Sequence, residues 1–545
     1  MSGRKLTKTR RVELGSGHYT IEIMRNYGSN STGDPAQHRS APTLPSGWRQ
    51  ILGIFALAAT AFLIHGYHPY SEDAENYLPG IENVLNPHLF PVNPEYFQMH
   101  AHLTWFPQLI AYTVRVLHLP LPWVLLLWQS ASFFLFLLAC WQLMRRVFST
   151  QVACWSALAL VTALFTMPVA GTALYVMDPF LNPRNIIAFA EILAVLKVLE
   201  RRYLPAALLL LFGILIHPLM TAFSTTFCLL VFTMDRWPEW LAGKRVVRER
   251  IDAEQAEPVA PAMLAFSPLK GLFNAPTESY DLVAVNHRYQ FLVKWTWYEM
   301  LGAIAPIFIF YGFSMVARAR RMRNLDLLSR AMAIYGAIYF LAGLAVSIPH
   351  RLEVFSLLQP MRSLRLLYIL MLLLGGGLLG EYVLRNRVWR WLALFLPLSA
   401  GMCWAQRGLY PASAHIEWPQ AQPRNPWVQA FQWARDHTPE DAVFAIDPYY
   451  MSASGEDANG FRAVAERSQL ADGTKDSGVV EMFPQIGDSW LAQVHAQTGI
   501  DQFRRDDFVR LERQYGASWA VIRQPGYAQL DCPYKNAIVM VCRLP

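Results

Sequence analysis

Long apolar runs, separated by short polar or basic connections, dominate the first 405 residues of the chain. A helix needs roughly 20 apolar residues to cross a hydrocarbon core. Runs that approach this length occur at Trp48–His65, Leu121–Leu143, Val152–Pro168, Ile186–Leu199, Leu204–Met234, Trp295–Val316, Leu327–Ile348, Leu364–Leu384 and Val388–Ala405. Leu204–Met234 is interrupted by His217-Pro218. Proline lacks an amide donor, so a break is expected there, as either one broken crossing or a hairpin of two short helices. The single broken crossing is the preferred expectation, because long loops obey charge rules loosely. The hairpin would require a further crossing, near Ala262–Phe273.

After Pro423 the pattern changes. Trp427–His437 has an amphipathic helical period and stops at Pro439; Trp490–Thr498 and Asp506–Tyr515 are further helices. Ala442–Ile446, Ser518–Ile522 and Ala537–Leu544 are short apolar strands between them. The sequence therefore predicts a mainly α, polytopic membrane protein of about 9 to 11 transmembrane helices with a small C-terminal α/β domain. Its parts are a polar, disordered head (1–47), a transmembrane domain (48–405) with a long loop (66–120), and a soluble domain (423–545).

Composition supports this division. The chain is 54% hydrophobic and only 16% charged, against about 25% charged in soluble domains. The net charge of +7 does not indicate nucleic acid, because the cations cluster at span ends: Arg145-Arg146, Arg201-Arg202, Arg318 to Arg323, and Arg385 to Arg390. Cations gather in cytoplasmic loops, which places the N-terminus inside and both the 66–120 loop and the C-terminal domain outside. No cleavable signal peptide is expected, so the first run is a retained anchor. Cys140, Cys154, Cys228 and Cys403 fall in or near spans as small apolar residues. Cys532 and Cys542 lie in the tail and form a disulfide there if that compartment is oxidising.

The 66–120 loop carries the most chemistry. Neighbouring spans usually need only a short turn, yet this connection contains Glu72, Asp73, Glu75, Glu82 and Glu95. Ala74–Leu85 and Leu103–Leu117 fit amphipathic helices that would lie flat at the interface, the second with Trp105, Phe106, Leu109, Tyr112 and Val116 on its apolar face. Asp73, flanked by Glu72 and Glu75, is the leading candidate for a base or a metal-holding carboxylate. The competing reading is an ordinary acidic first turn of a helix. His217 sits at membrane depth, where an ionisable group tends to face a cavity; the alternative is a neutral imidazole that satisfies a carbonyl freed by Pro218. Asp178 and Arg184, in YVMDPFLNPRN, meet a span start where a guanidinium can grip phosphate; reaching back to the interface is the alternative. His350, Arg351, Gln359, Arg362 and Arg365 form an outward cationic group suited to an anionic head group, whether of a substrate or of ordinary lipid. The histidines His65, His68, His100 and His102 lack the spacing and third ligand of a zinc site.

Taken together, EDAENYLPGIENVLNPHLFP, DPFLNPRN, LIHPLM, LQPMR and the tail segments WARDHTPEDAVFAIDP and FRAVAERS resemble the GT-C superfamily of membrane glycosyltransferases and a less characterised set of bacterial membrane proteins of the same layout. The resemblance implies inverting sugar transfer from a polyprenyl-phosphate-linked donor to an envelope acceptor, on the outer face of the bacterial inner membrane. It implies Asp73 as base or as organiser of a divalent cation (Mg or Mn), with membrane lipid as a further partner and no nucleic acid. The nearest paired-acid forms are Glu72-Asp73 and Asp73-x-Glu75. A transporter or flippase, and a non-catalytic assembly factor for envelope polysaccharide, remain as alternatives.

Overall fold

The computed structural model describes residues 46–247, 287–347, 355–453 and 455–545. The basic head, His350, Arg351 and the possible crossing near Ala262–Phe273 lie outside the described residues. Among the described residues, seven helices are long and apolar enough to cross a membrane: Gly47–His65, Leu121–Val147, Pro218–Arg236, Trp297–Ala319, Arg323–Ser347, Phe355–Leu384 and Val388–Leu409. Large apolar side chains such as Leu52, Phe55, Phe308, Leu341 and Leu396 point away from the protein. An apolar exterior on this scale suits contact with lipid.

In chain order, helix α1 (Ser46–His65) leads into the loop, which forms α2 (Ala74–Leu85), α3 (Glu95–Ala101) and α4 (Phe106–Leu117). The long helix α5 (Leu121–Val147) and the shorter α6 (Gln151–Ala163) follow, then the buried α7 (Pro183–Leu199). The loop helices fall where the sequence predicts, but the apolar face of α4 is divided. Phe106, Ile110 and Ala111 are buried, whereas Trp105, Tyr112 and Val116 are exposed. Helix α2 packs on α4 and claims the first set, leaving the second outward.

The Leu204–Met234 stretch corrects the expectation of one broken crossing. It forms α8 (Tyr203–Ile216) and α9 (Pro218–Val247), folded back on each other. The rings of Tyr203 and Phe232 meet edge to face at 5.1 Å, and Arg236 Nε donates to the Tyr203 hydroxyl at 3.2 Å. Near the other end, Gly213 lies so close to Thr221 that a Cβ on it would clash. The hairpin turns at His217. Its N–H bonds Gly213 O, Pro218 starts α9 where no donor is needed, and Thr221 closes onto His217 O through its N–H and its hydroxyl.

That hairpin aligns the ends of the bundle. Arg201 and Arg323 both pair with Asp235, at 3.0 and 2.8 Å, and Asn324 donates to Arg146 O. One end of the bundle therefore gathers the basic connections. The other end carries the loop and the tail.

The tail builds a five-stranded sheet of β1 (Val443–Ile446), β2 (Ser468–Gln469), β3 (Trp519–Arg523), β4 (Asp531–Lys535) and β5 (Val539–Arg543) in the order β2-β1-β3-β5-β4. The first three neighbours run parallel, and β5 and β4 complete the sheet antiparallel. Strands β1, β3 and β5 are apolar on both faces because both are covered: Phe444, Val521 and Val541 face Phe431 and Phe461, and Ala445, Ile522 and Met540 face Phe508 and Leu511. Cys532 and Cys542 are joined in a disulfide between β4 and β5. From Gln50 onward the chain is one compact unit, so the loop, the helix ends and the tail can share a site.

Candidate functional site

The start of the loop is stitched to distant segments before α2 begins. Tyr67 N–H donates to His415 O, His68 N–H to Pro179 O, and Glu72 N–H to Ala458 O of the tail. Glu72 has a φ of 55°, a left-handed conformation rare for such a residue. The tail holds it there, and Ser71 bridges Asn459 beside it. Asp73 precedes α2 but makes no capping bond with its side chain. Its carboxylate instead accepts from Arg184 Nη2 at 2.9 Å and from Lys475 Nζ at 3.2 Å. Lys475 also bonds Glu72 Oε2 at 2.7 Å.

Arg184 stands in the first turn of α7. Asn182 caps that helix through Asn185 N–H and donates its amide to Asp178 Oδ2 at 2.7 Å. Asp178 in turn lies 3.4 Å from Arg184 Nη2. Arg184 is thus buried, 2% exposed, between two carboxylates. Behind it, Arg365 reaches Val176 O, Arg184 O and Glu191. Gln359, at φ 42°, begins the turn Pro360–Ser363 that presents Arg362. The Arg362 guanidinium lies over the Tyr289 ring at 5.1 Å, and its Nε is buried without a partner.

These groups surround a cavity of about 710 Å³. Glu72, Asp73, Asp178, Arg184, His217, Gln359 and Arg362 all line it. Its wall is apolar where Leu103, Pro218, Leu219 and Leu357 come from loop and helix ends; the tail adds Tyr449, Ser452, Thr474 and Lys475. Burial alone would disfavour an ionised Asp73, but Lys475, Arg184 and Arg362 outweigh it and hold the carboxyl well below the usual range. Burial pushes the His100 imidazole, another lining group, down to about 4. His100 Nδ1, His217 Nδ1 and Gln359 Oε1 are also buried without partners.

Two candidates stand elsewhere. Glu75 does not line the cavity; it is buried under the tail, where it accepts from Arg462 Nη1 at 3.3 Å and from the N–H groups of Arg462 and Ala463. Arg365 is 1% exposed and backs Arg184 rather than reaching the wall. Three lining groups carry no local sequence signal: Lys475, His287 and Glu481. His287 Nδ1 meets Glu481 Oε2 at 3.0 Å, and Ser477 Oγ lies 3.1 Å from its Nε2.

No three His, Cys, Asp or Glu side chains among the described residues are placed to share a metal ion. The Asp73 oxygens already face two cations, which a metal would have to displace. The chain matches no family model and no curated protein.

Proposed function

We propose that the protein is a GT-C-like membrane glycosyltransferase, with the loop and tail on the outer face of a bacterial inner membrane. Its donor is a sugar on a polyprenyl phosphate, and its acceptor is a hydroxyl of an envelope molecule. One observation carries the reading: a single cavity, apolar where the helices end and polar where the tail covers it, brings together Asp73, Arg184, Arg362 and Lys475. A ligand with a lipid chain and a charged head matches both walls. In the reaction, the acceptor oxygen bonds to the anomeric carbon as the bond from that carbon to the phosphate oxygen breaks. The electron pair leaves with the phosphate, whose charge the cations stabilise, and the acceptor proton passes to Asp73. No step is assigned to a metal.

The test is transfer from a labelled polyprenyl-phosphate sugar by the purified chain in nanodiscs. Asp73→Asn keeps the shape and removes the proton acceptor, so transfer should fall by about 100-fold or more. Full transfer by that variant would refute the role of Asp73, and no turnover of any such donor would refute the reading.

A further inference from the structure

We propose that Lys475 of the tail and Arg362 of the turn Pro360–Ser363, in the first part of the Phe355–Leu384 stretch, form the anion-binding pair of the cavity, while Arg184 serves as a positioning residue for Asp73. The inference rests on the proposed function only in taking the anion to be the phosphate of the ligand.

The three cations differ in what already holds them. Arg184 is 2% exposed and gives its nitrogens to Asp73 and Asp178. Pulling it toward a ligand would leave a buried carboxylate unpaired, which is costly. Arg362 has no carboxylate partner among the described residues, and its Nε lacks any partner. A half-buried guanidinium on a cavity wall, with its Nε buried and unpartnered, is stabilised by an arriving oxyanion. Lys475 has partners but can exchange them. Its ammonium bonds Glu72, whose side chain is 46% exposed and can turn to water at little cost.

The backbone at Lys475 is tied down by hydrogen bonds, whereas its ammonium can exchange one carboxylate for another anion. Asp472 accepts from the N–H groups of Thr474 and Lys475, and Asp472 N–H donates to Asp476 Oδ2. Asp476 is gripped by both terminal nitrogens of Arg462, which also holds Glu75 of α2. One buried guanidinium therefore fixes the residue after Lys475 and the residue two beyond Asp73. The pair reaches the ligand from two sides: Lys475 from the tail and Arg362 from the membrane helices. His100 and His217 offer unpartnered ring nitrogens to the head group, and Gln359 Oε1 can accept from one of its hydroxyls. Binding has a consequence for the chemistry. When Lys475 turns to the phosphate, Asp73 loses one of the cations that suppress its proton affinity and becomes a better base only once the donor is in place.

The experiment is calorimetric titration of the full chain in nanodiscs with farnesyl phosphate and, separately, with inorganic phosphate. Lys475→Gln and Arg362→Gln should each weaken farnesyl phosphate by about tenfold or more, with Lys475→Arg restoring most of the loss. Glu72→Gln releases Lys475 and should bind as tightly as the natural chain or more tightly. Lys475→Gln with undiminished affinity, Glu72→Gln with affinity lost, or no binding of either probe would each overturn the proposal. Inorganic phosphate binding as well as farnesyl phosphate would support the anion pair and count against a lipid-linked donor. Tight farnesyl phosphate binding without sugar transfer would support the pair and sink the transferase.

Discussion

The two ends of the helical bundle use the same residue types on opposite terms. At the basic end, Arg201, Arg323 and Arg330 pair with Asp235 and Asp326, with side chains 39%, 75% and 47% exposed. At the cavity end, Arg184, Arg365 and Arg462 pair with Asp73, Asp178, Glu191, Glu75 and Asp476 at 3% exposure or less for each arginine. Water solvates the first set whether or not the pairs form, so those pairs contribute little. The second set must be paired to be buried at all. Arginine at the basic end thus stays in contact with water, and arginine at the cavity end is committed to buried pairs. Residue type alone does not separate these roles, because arginine–carboxylate pairs serve at both ends.

Removing Arg462 should break the comparison most severely. Arg462→Met leaves Glu75 and Asp476 buried with their main counter-charge gone, and should destabilise the loop–tail junction by about 3–5 kcal/mol. Thermal unfolding in detergent, with hydrogen exchange of residues 71–85 and 472–482, reads the effect. Normal protection in both segments would show that other contacts hold the junction.

Acid should come next. His100 is held neutral by burial, with its pKa lowered from 6.5 to about 4. The unfolded chain then binds a proton on this ring between those values while the folded chain does not. The contribution is absent above pH 6.5 and becomes increasingly destabilising as pH falls toward 4, reaching on the order of 3 kcal/mol. Asp73 has the same sign at lower pH: its carboxyl is depressed when folded, so the stability it contributes above the ordinary carboxylate range is lost on further acidification. His100→Gln should flatten the upper part of the acid profile and leave the lower part. Identical profiles for the two chains between pH 6.5 and 4 would show that His100 is not the titrating group.

The sequence was readable where structure is local. Apolar runs marked the seven long apolar helices of the described residues, though Val152–Pro168 and Ile186–Leu199 became only the shorter α6 and α7; Pro218 marked the break, and β1, β3 and β5 appeared as short apolar segments. Strand β4 did not, because DCPYK is polar and carries a proline. It sits at the sheet edge, where one side of the strand needs no partner and charged side chains are favoured. Whether the broken stretch ran on as one bent helix or folded back as a hairpin was also beyond local pattern, since only packing of Tyr203 on Phe232 decides it. Asp73, Arg184 and Arg362 could be singled out because an acid-rich loop and cations on the side expected to be outside depart from the usual charge pattern. Lys475 could not, because it lies in an ordinary polar turn 402 residues from Asp73. Glu75 and Arg365 looked equivalent to their neighbours, yet helix rotation turns Glu75 to the tail and Arg365 into the bundle.

The smallest expected effect lies at the basic end, and its smallness sharpens the comparison. Arg323 is 75% exposed and shares Asp235 with Arg201. Arg323→Ala removes one of two cations from a carboxylate that water already reaches. The remaining Arg201 keeps Asp235 paired, and the loss should be about 0–1 kcal/mol, shrinking further in high salt. Thermal unfolding at low and high salt measures it directly. A loss comparable to that of Arg462→Met would mean that Asp235 is not the solvated group it resembles, and that the basic end also depends on paired charge for its packing. A small, salt-sensitive loss would leave burial, not pairing, as the property that separates the arginines of the cavity end from those of the basic end.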